Sequence, residues 1–167
     1  MASLFSCKER RKTMATPGVS TLGIKLGYNI GSSMPSSFKV LTRINAIGGI
    51  SLETEQIDAS ALEDYVTRYI AGRQDTGGNF PITINITDET IAEWEALIAA
   101  YNEKGSDEQL FLEVWSPYLT KAFFINAQPP KVLPMSEMAQ NEIQTVEIGM
   151  TIEEYLGMDT AIEPTVG

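Results

Sequence analysis

The sequence predicts a mainly β domain: an antiparallel β-sandwich or open barrel with one flanking α-helix, a long central loop and flexible termini. Three observations carry this. Residues 81–86 (PITINI) alternate, with Ile82, Ile84 and Ile86 on one side and Thr83 and Asn85 on the other. Residues 142–152 end in the same pattern, Val146, Ile148, Met150 and Ile152 opposing Thr145, Glu147, Gly149 and Thr151. Only one segment, just after residue 86, has a clear helical stripe. Strands, one helix, then strands is not the alternating order of a βαβ design.

The elements follow in order. Residues 1–20 are polar, basic and rich in Ser, Thr, Gly and Pro, and read as a flexible N-terminal arm. Met14 opens MATPGVSTLG as a natural start would, so residues 1–13 are expected to lie outside the fold. The β domain proper is expected over 21–155. Within it, 21–30 and 38–44 read as strands joined by the turn-rich GSSMPSS, and AIGG at 46–49 is a break. Residues 50–57 resume as a strand with Glu53 and Glu55 on one face. Residues 58–80 read as a long irregular loop whose middle, ALEDYVTRYIAG, is compatible with a short helix.

The helix is expected over 88–103. Thr87 or Asp88 supplies its N-cap, and Asp88 and Glu89 complement the dipole in the first turn. Ile91, Trp94, Leu97, Ile98 and Tyr101 form its apolar stripe, and NEKG ends it. Strands follow at 110–115, 120–126 and 142–152. The Pro-rich PPKVLPMSEMAQN between the last two cannot sit in mid-sheet. Residues 156–167 read as a polar C-terminal arm.

Composition narrows the function. At 167 residues, 43% hydrophobic and 20% charged, the chain suits one folded domain. It has no histidine, which removes the commonest general base and any Ser–His or Cys–His pair. The single Cys7 excludes an internal disulfide and a cysteine-based zinc site. No apolar run approaches the roughly 18 residues of a membrane span. No cofactor, metal or membrane partner is expected. The net charge is −10 and uneven: residues 1–43 hold seven Lys/Arg against Glu9 alone, and the rest holds five bases against 21 acids. So acidic a body repels phosphate backbones.

The candidate chemical motifs each have a plainer reading. Asp75-Thr76-Gly77 matches the nucleophile loop of aspartic proteases, which need two carboxylates sharing a proton and so, here, a dimer. It follows Gly72-Arg73-Gln74 rather than an apolar strand, and a Gly-rich turn into residue 81 explains it. KERRK at 8–12 has no aromatic interleaving and reads as a solvated run. Gly23, Gly27 and Gly31 precede no helix, so a phosphate loop fails. Asn85-Ile86-Thr87 is a glycosylation sequon only in a secreted chain. The carboxylate pairs Glu53/Glu55 and Glu142/Glu147 read as polar strand faces. What remains is a loop whose Tyr65, Val66, Tyr69 and Ile70 need a surface to bury against. Arg68 and Arg73 are two of the five bases in the acidic body and suit carboxylates of a neighbouring subunit.

The run IGGISLETEQIDASALED through YIAGRQDTGGNFPITINI, then IAEWEALIAAY, LFLEVW, KAFFINAQPP and VEIGMTI, resembles the major tail tube protein of long-tailed, non-contractile bacteriophages. Asp58-Ala59-Ser60 and the Gly72–Gly77 turn fill the places of that family's local motifs, over about residues 15–155. The resemblance implies a virion protein made in the host bacterial cytoplasm. It would form hexameric rings that stack into a tube for DNA delivery. Its expected partners are further copies of itself and the tape measure, tail terminator and baseplate or tip proteins, with DNA passing without specific binding. The long loop (Tyr65, Arg68, Tyr69, Ile70, Arg73, Asp75) would bridge subunits and rings, and Glu53, Glu55 and Glu147 would face the lumen. Two alternatives stay open: a related tube or ring of a contractile tail, secretion system or tail terminator, and a dimeric aspartic protease.

Overall fold

The structure, a computed structural model, describes residues 17–166. Among these residues lie nine strands and one helix. They run β1 (Lys25–Gly31), β2 (Lys39–Leu41), β3 (Ile44–Ile47), β4 (Glu53–Asp58), β5 (Tyr69–Asp75), β6 (Asn79–Asn85), α1 (Asp88–Glu103), β7 (Gln109–Trp115), β8 (Lys121–Gln128) and β9 (Thr145–Thr160). Seven strands form one antiparallel sheet in the order β2-β1-β7-β8-β9-β6-β3, while β4 and β5 pair only with each other. The basic run at 8–12 and most of the expected N-terminal arm fall outside the described residues.

The large sheet is rolled up, and its connectivity forces this. Its two edge strands, β2 and β3, are consecutive in the chain and separated only by Thr42 and Arg43. Three Cα–Cα steps reach at most about 11 Å. In a flat sheet of this width the edges would stand about 29 Å apart. The edges therefore converge at one corner, as in an open barrel. Arg43 takes a left-handed φ of 55° there. Glu93 on the helix accepts the Thr42 N–H at 3.0 Å and its hydroxyl at 2.9 Å, and the Asn85 N–H donates to the Arg43 carbonyl at 3.0 Å.

A second bend lies in β9. Thr145–Thr151 pairs with β6, and Thr151–Thr160 pairs with β8, with the register broken between Phe124/Ile125 and between Asn126/Ala127 on the β8 side. These bulges let one long strand serve two differently oriented halves of the sheet.

The concave face holds the main core: Leu26, Leu41, Phe80, Ile82, Ile84, Leu110, Leu112, Ile125, Val146, Ile148 and Met150, closed by Trp94 and Leu97 of α1. The helix begins with a capping box in which Thr87 and Thr90 exchange hydrogen bonds, so Thr87 is the N-cap. Its stripe buries Trp94, Leu97 and Ile98 as expected, with Ile91 and Tyr101 half-buried.

Three expectations are overturned. Residues 38–44 are not one strand: Thr42 and Arg43 separate β2 from β3, which lie at the two edges of the sheet. Residues 58–80 are not an irregular loop and hold no helix: Tyr69–Asp75 is a strand paired with Glu53–Asp58. The alternation was masked because neither face of this hairpin is buried, so no polar–apolar contrast marks it. The C-terminal residues are not a free arm either. β9 runs to Thr160, and residues 161–166 lie as a strap across the convex face. The strap's Thr165 exchanges two hydrogen bonds of 2.9 Å with Phe38 and Val40, bridging parallel to Lys39. Under it sits a second cluster of Phe38, Phe111, Ala122 and Phe124, with Ala161 and Ile162 packed on top.

Candidate assembly surface

The β4–β5 hairpin is the feature without a partner in its own domain. Not one residue of either strand is buried. Its ladder pairs Glu53 with Asp75, Ile57 with Ile70 and Asp58 with Tyr69. Opposite Glu55 the partner strand carries two residues, Gly72 and Arg73, which is a bulge. Gly72 leaves room there: a Cβ would come within 3.1 Å of the Ile57 side chain and 3.2 Å of the Glu55 carbonyl, a tight fit. Glu53 across from Asp75 is a like-charge pair, which weakens the isolated hairpin.

The tip, residues 59–68, is ordered by polar groups. Asp58 accepts the Ser60 N–H at 2.9 Å, and hydrogen bonds from the Ser60 side chain and backbone hold its carboxyl below the usual range. The Arg68 N–H donates to the Ser60 hydroxyl at 2.7 Å, and Asp64 accepts the Ala61 N–H at 2.9 Å. Arg68 lies 3.5 Å from Asp64 of its own tip, so the carboxylate expected from a neighbour is already supplied in cis. Arg73 makes no ion pair among the described residues.

Around this frame the apolar side chains point into solvent. Leu62 and Tyr65 are fully exposed at 109% and 104%, and Val66, Tyr69, Ile70 and Ile57 are exposed at 76%, 59%, 56% and 45%. The structure thus gathers Tyr65, Arg68, Tyr69, Ile70, Arg73 and Asp75 on one projecting element. It adds Leu62 and Ile57, which lie on the same hairpin and are likewise exposed. A further exposed apolar set lies before β9: Val132, Met135 and Met138 on the Pro-rich connection, and Ile143 just after it.

Asp75 is a turn residue. It accepts the Gly77 N–H at 2.9 Å, and Gly77 and Gly78 follow with φ of 80° and 75°. Consecutive left-handed residues favour glycine, so the triplet steers the chain into β6. The acidic candidates do not share a sheet. Glu53 and Glu55 lie on the hairpin, and Glu147 is exposed on β9 across from Thr83. Only Glu147 stands on the polar face of a strand whose other face is buried; β4 has no buried face to oppose.

No family model and no curated protein matches the sequence. The fold, however, is that of solved tail-like assemblies. A chain of the anti-feeding prophage tube-terminating cap is 12% identical with a TM-score of 0.58, over 88% of this chain and 94% of that one. A chain of the native gene transfer agent virion is 12% identical with a TM-score of 0.56, over 86% and 100%. A chain of the gene transfer agent tail, from an empty particle refined helically with C6 symmetry, is 15% identical with a TM-score of 0.51, over 83% and 93%. The chain shares its fold, nearly end to end, with components of these particles.

Proposed function

We propose that this chain is a structural subunit that polymerises through the β4–β5 hairpin into rings stacked as a tail tube. The observation that carries this is the hairpin itself. Its apolar tip has nothing in its own domain to bury against, and a two-stranded ribbon is marginal alone in water. A neighbouring copy supplies both a third surface for the ladder and cover for Leu62, Tyr65 and Val66. A contact between two different patches of identical chains generates a ring or a filament. The sixfold gene transfer agent tail supports six subunits per ring.

In this reading the tube belongs to a long-tailed, non-contractile phage or a related particle, and conducts DNA without binding it. The net charge of −10 favours such a role, since the carboxylates, Glu53, Glu55 and Glu147 among them, leave phosphates no attractive wall. The tape measure, terminator and baseplate or tip proteins are its natural partners in the virion. A second reading is a terminating ring, favoured by the likeness to the tube-terminating cap.

Electron microscopy of the purified chain separates these readings. The expected result is long hollow tubes of sixfold symmetry; single rings would select the terminator. The bases of β4 and β5 stand about 5 Å apart, so a short Gly-Ser linker can replace residues 53–75 without stretching the domain. That variant is expected to remain a folded monomer at every concentration. Polymerisation of the variant to the wild-type extent, or a wild-type chain that never assembles, would overturn the proposal.

A further inference from the structure

Glu113 is a fully buried carboxylate in the middle of an apolar cluster. It sits in β7 between Gly27 of β1 and Phe124 of β8, facing the strap rather than the main core. Its Oε1 accepts the Ile162 N–H from the strap at 2.9 Å. Its Oε2 is buried with no hydrogen-bond partner among the described residues, and so is Oδ1 of Asn126. Asn126 lies on the same face of the neighbouring strand, opposite Phe111 and therefore two residues along from Glu113. The Asn126 amide donates to Gln109 at 2.9 Å, on the side away from Glu113. Oε2 is therefore a buried acceptor without a donor, and a proton on Glu113 removes the buried charge that this would otherwise strand.

We propose that Glu113 and the strap 161–166 form a proton-set latch, closed when Glu113 is protonated and loosened when it is ionised. The strap is built for this. The Ala161 N–H reaches the Thr120 carbonyl at 3.1 Å and Thr165 pairs with Phe38 and Val40, so the Ile162–Glu113 bond is its central tie. Pro164 packs over Gly27, where a Cβ would meet it at 3.0 Å, and Ile162 belongs to the apolar cluster that includes Phe38 and Phe124. Loosening the strap uncovers that cluster.

The charged groups around Glu113 do not rescue the ion. On β1, Lys25 is engaged elsewhere: its Nζ is 3.5 Å from Glu163 of the strap and 5.2 Å from the Trp115 ring. Glu163 is itself acidic and exposed. Lys39 of β2 is exposed at the far end of the strap, and β8 offers only the neutral Ala122, Phe124 and Asn126 on this face. Burial accordingly raises the Glu113 carboxyl from 4.5 to about 6, partly opposed by the Ile162 hydrogen bond.

The sign follows from the raised value. A carboxyl whose folded pKa exceeds its unfolded one stabilises the closed form fully below 4.5, and that contribution is lost as pH rises through about 6. If opening restores the ordinary value, the open fraction rises roughly thirty-fold across that window.

Hydrogen exchange on the full chain tests this, corrected for the intrinsic rate at each pH. Amides of residues 161–166 are expected to lose about fifteen-fold in protection between about pH 4.5 and about pH 7.5, half of the full span because the open carboxyl is already half ionised at the lower pH. Glu113→Gln, neutral throughout, is expected to abolish that dependence, while Glu163→Gln is expected to keep it. A pH-independent strap in the wild type, or the same dependence in Glu113→Gln, overturns the latch. Should Glu113→Gln fail to fold, the Glu113 carboxyl can be titrated by carbon NMR in the wild type. A midpoint near 6 upholds the latch, and one at the ordinary carboxylate value overturns it.

Discussion

β5 and β6 are adjacent in the chain, equally long at seven residues, and built from similar residue types, yet they obey different rules. In β6 the buried residues are Phe80, Ile82 and Ile84, each fitted into the main core. In β5 no residue is buried, although Ile70 is as apolar as the isoleucines of β6 and Tyr69 carries an aromatic ring. One strand is finished by its own chain and the other is not. In the proposed assembly the second is finished only by a neighbouring copy, so stability and assembly would be carried by separate parts of the sequence.

Substitutions can sharpen or break that division. Trp94→Ala should have the largest effect, about 3–5 kcal/mol of lost stability, because it empties a fully buried site where helix and sheet meet. Urea unfolding of the monomer measures this directly. Glu93→Ala should cost about 2 kcal/mol. It removes a charged acceptor from two hydrogen bonds at the corner where the edges of the sheet converge. The same assay checks it, and a loss below half that value would mean that the two-residue connection holds the corner unaided. Least affected should be the double change Leu62→Ser, Tyr65→Ser, which should move monomer stability by under about 0.5 kcal/mol. Sedimentation should nevertheless show its assembly gone. A large stability loss with assembly intact would mean that the tip packs on its own domain, erasing the contrast between β5 and β6.

The same contrast explains what was legible in the sequence. β6, β9 and α1 could be read because burial writes a period into the residues: alternate isoleucines in one, a Trp94–Leu97–Ile98 stripe in another. The segment's unburied apolar groups, Tyr65, Tyr69 and Ile70, could be read from the sequence, but its strand pairing could not. Its two exposed faces leave no period, and its bulge at Gly72 breaks the register. The strap was missed for another reason. Its ties are largely backbone hydrogen bonds, at Ala161 and Thr165, which any residue can make, and its side-chain ties come from far along the chain: Glu113, 49 positions from Ile162, and Lys25, which pairs with Glu163. Likewise, nothing in LFLEVW distinguishes a buried glutamate from a solvated one. The roll of the sheet depends on which strands pair, and the turn at Thr42–Arg43 that brings its edges together lies inside a stretch that reads as one strand.

The place of β9 in the sheet has a consequence for how the chain is made. It is the last strand to be synthesised among those described, yet it stands between β8 and β6 and joins the two halves of the sheet. Until residues 145–160 emerge from the ribosome, β2-β1-β7-β8 and β6-β3 are separate fragments, each with an open apolar edge. Their union waits for contacts of long sequence separation, such as Thr83 with Glu147, and pairings of that kind close slowly. A nascent chain therefore presents its hairpin before it has a domain to carry it. In the proposed assembly, the order of translation would make completion of the subunit, rather than exposure of the hairpin, the step that governs when copies begin to join.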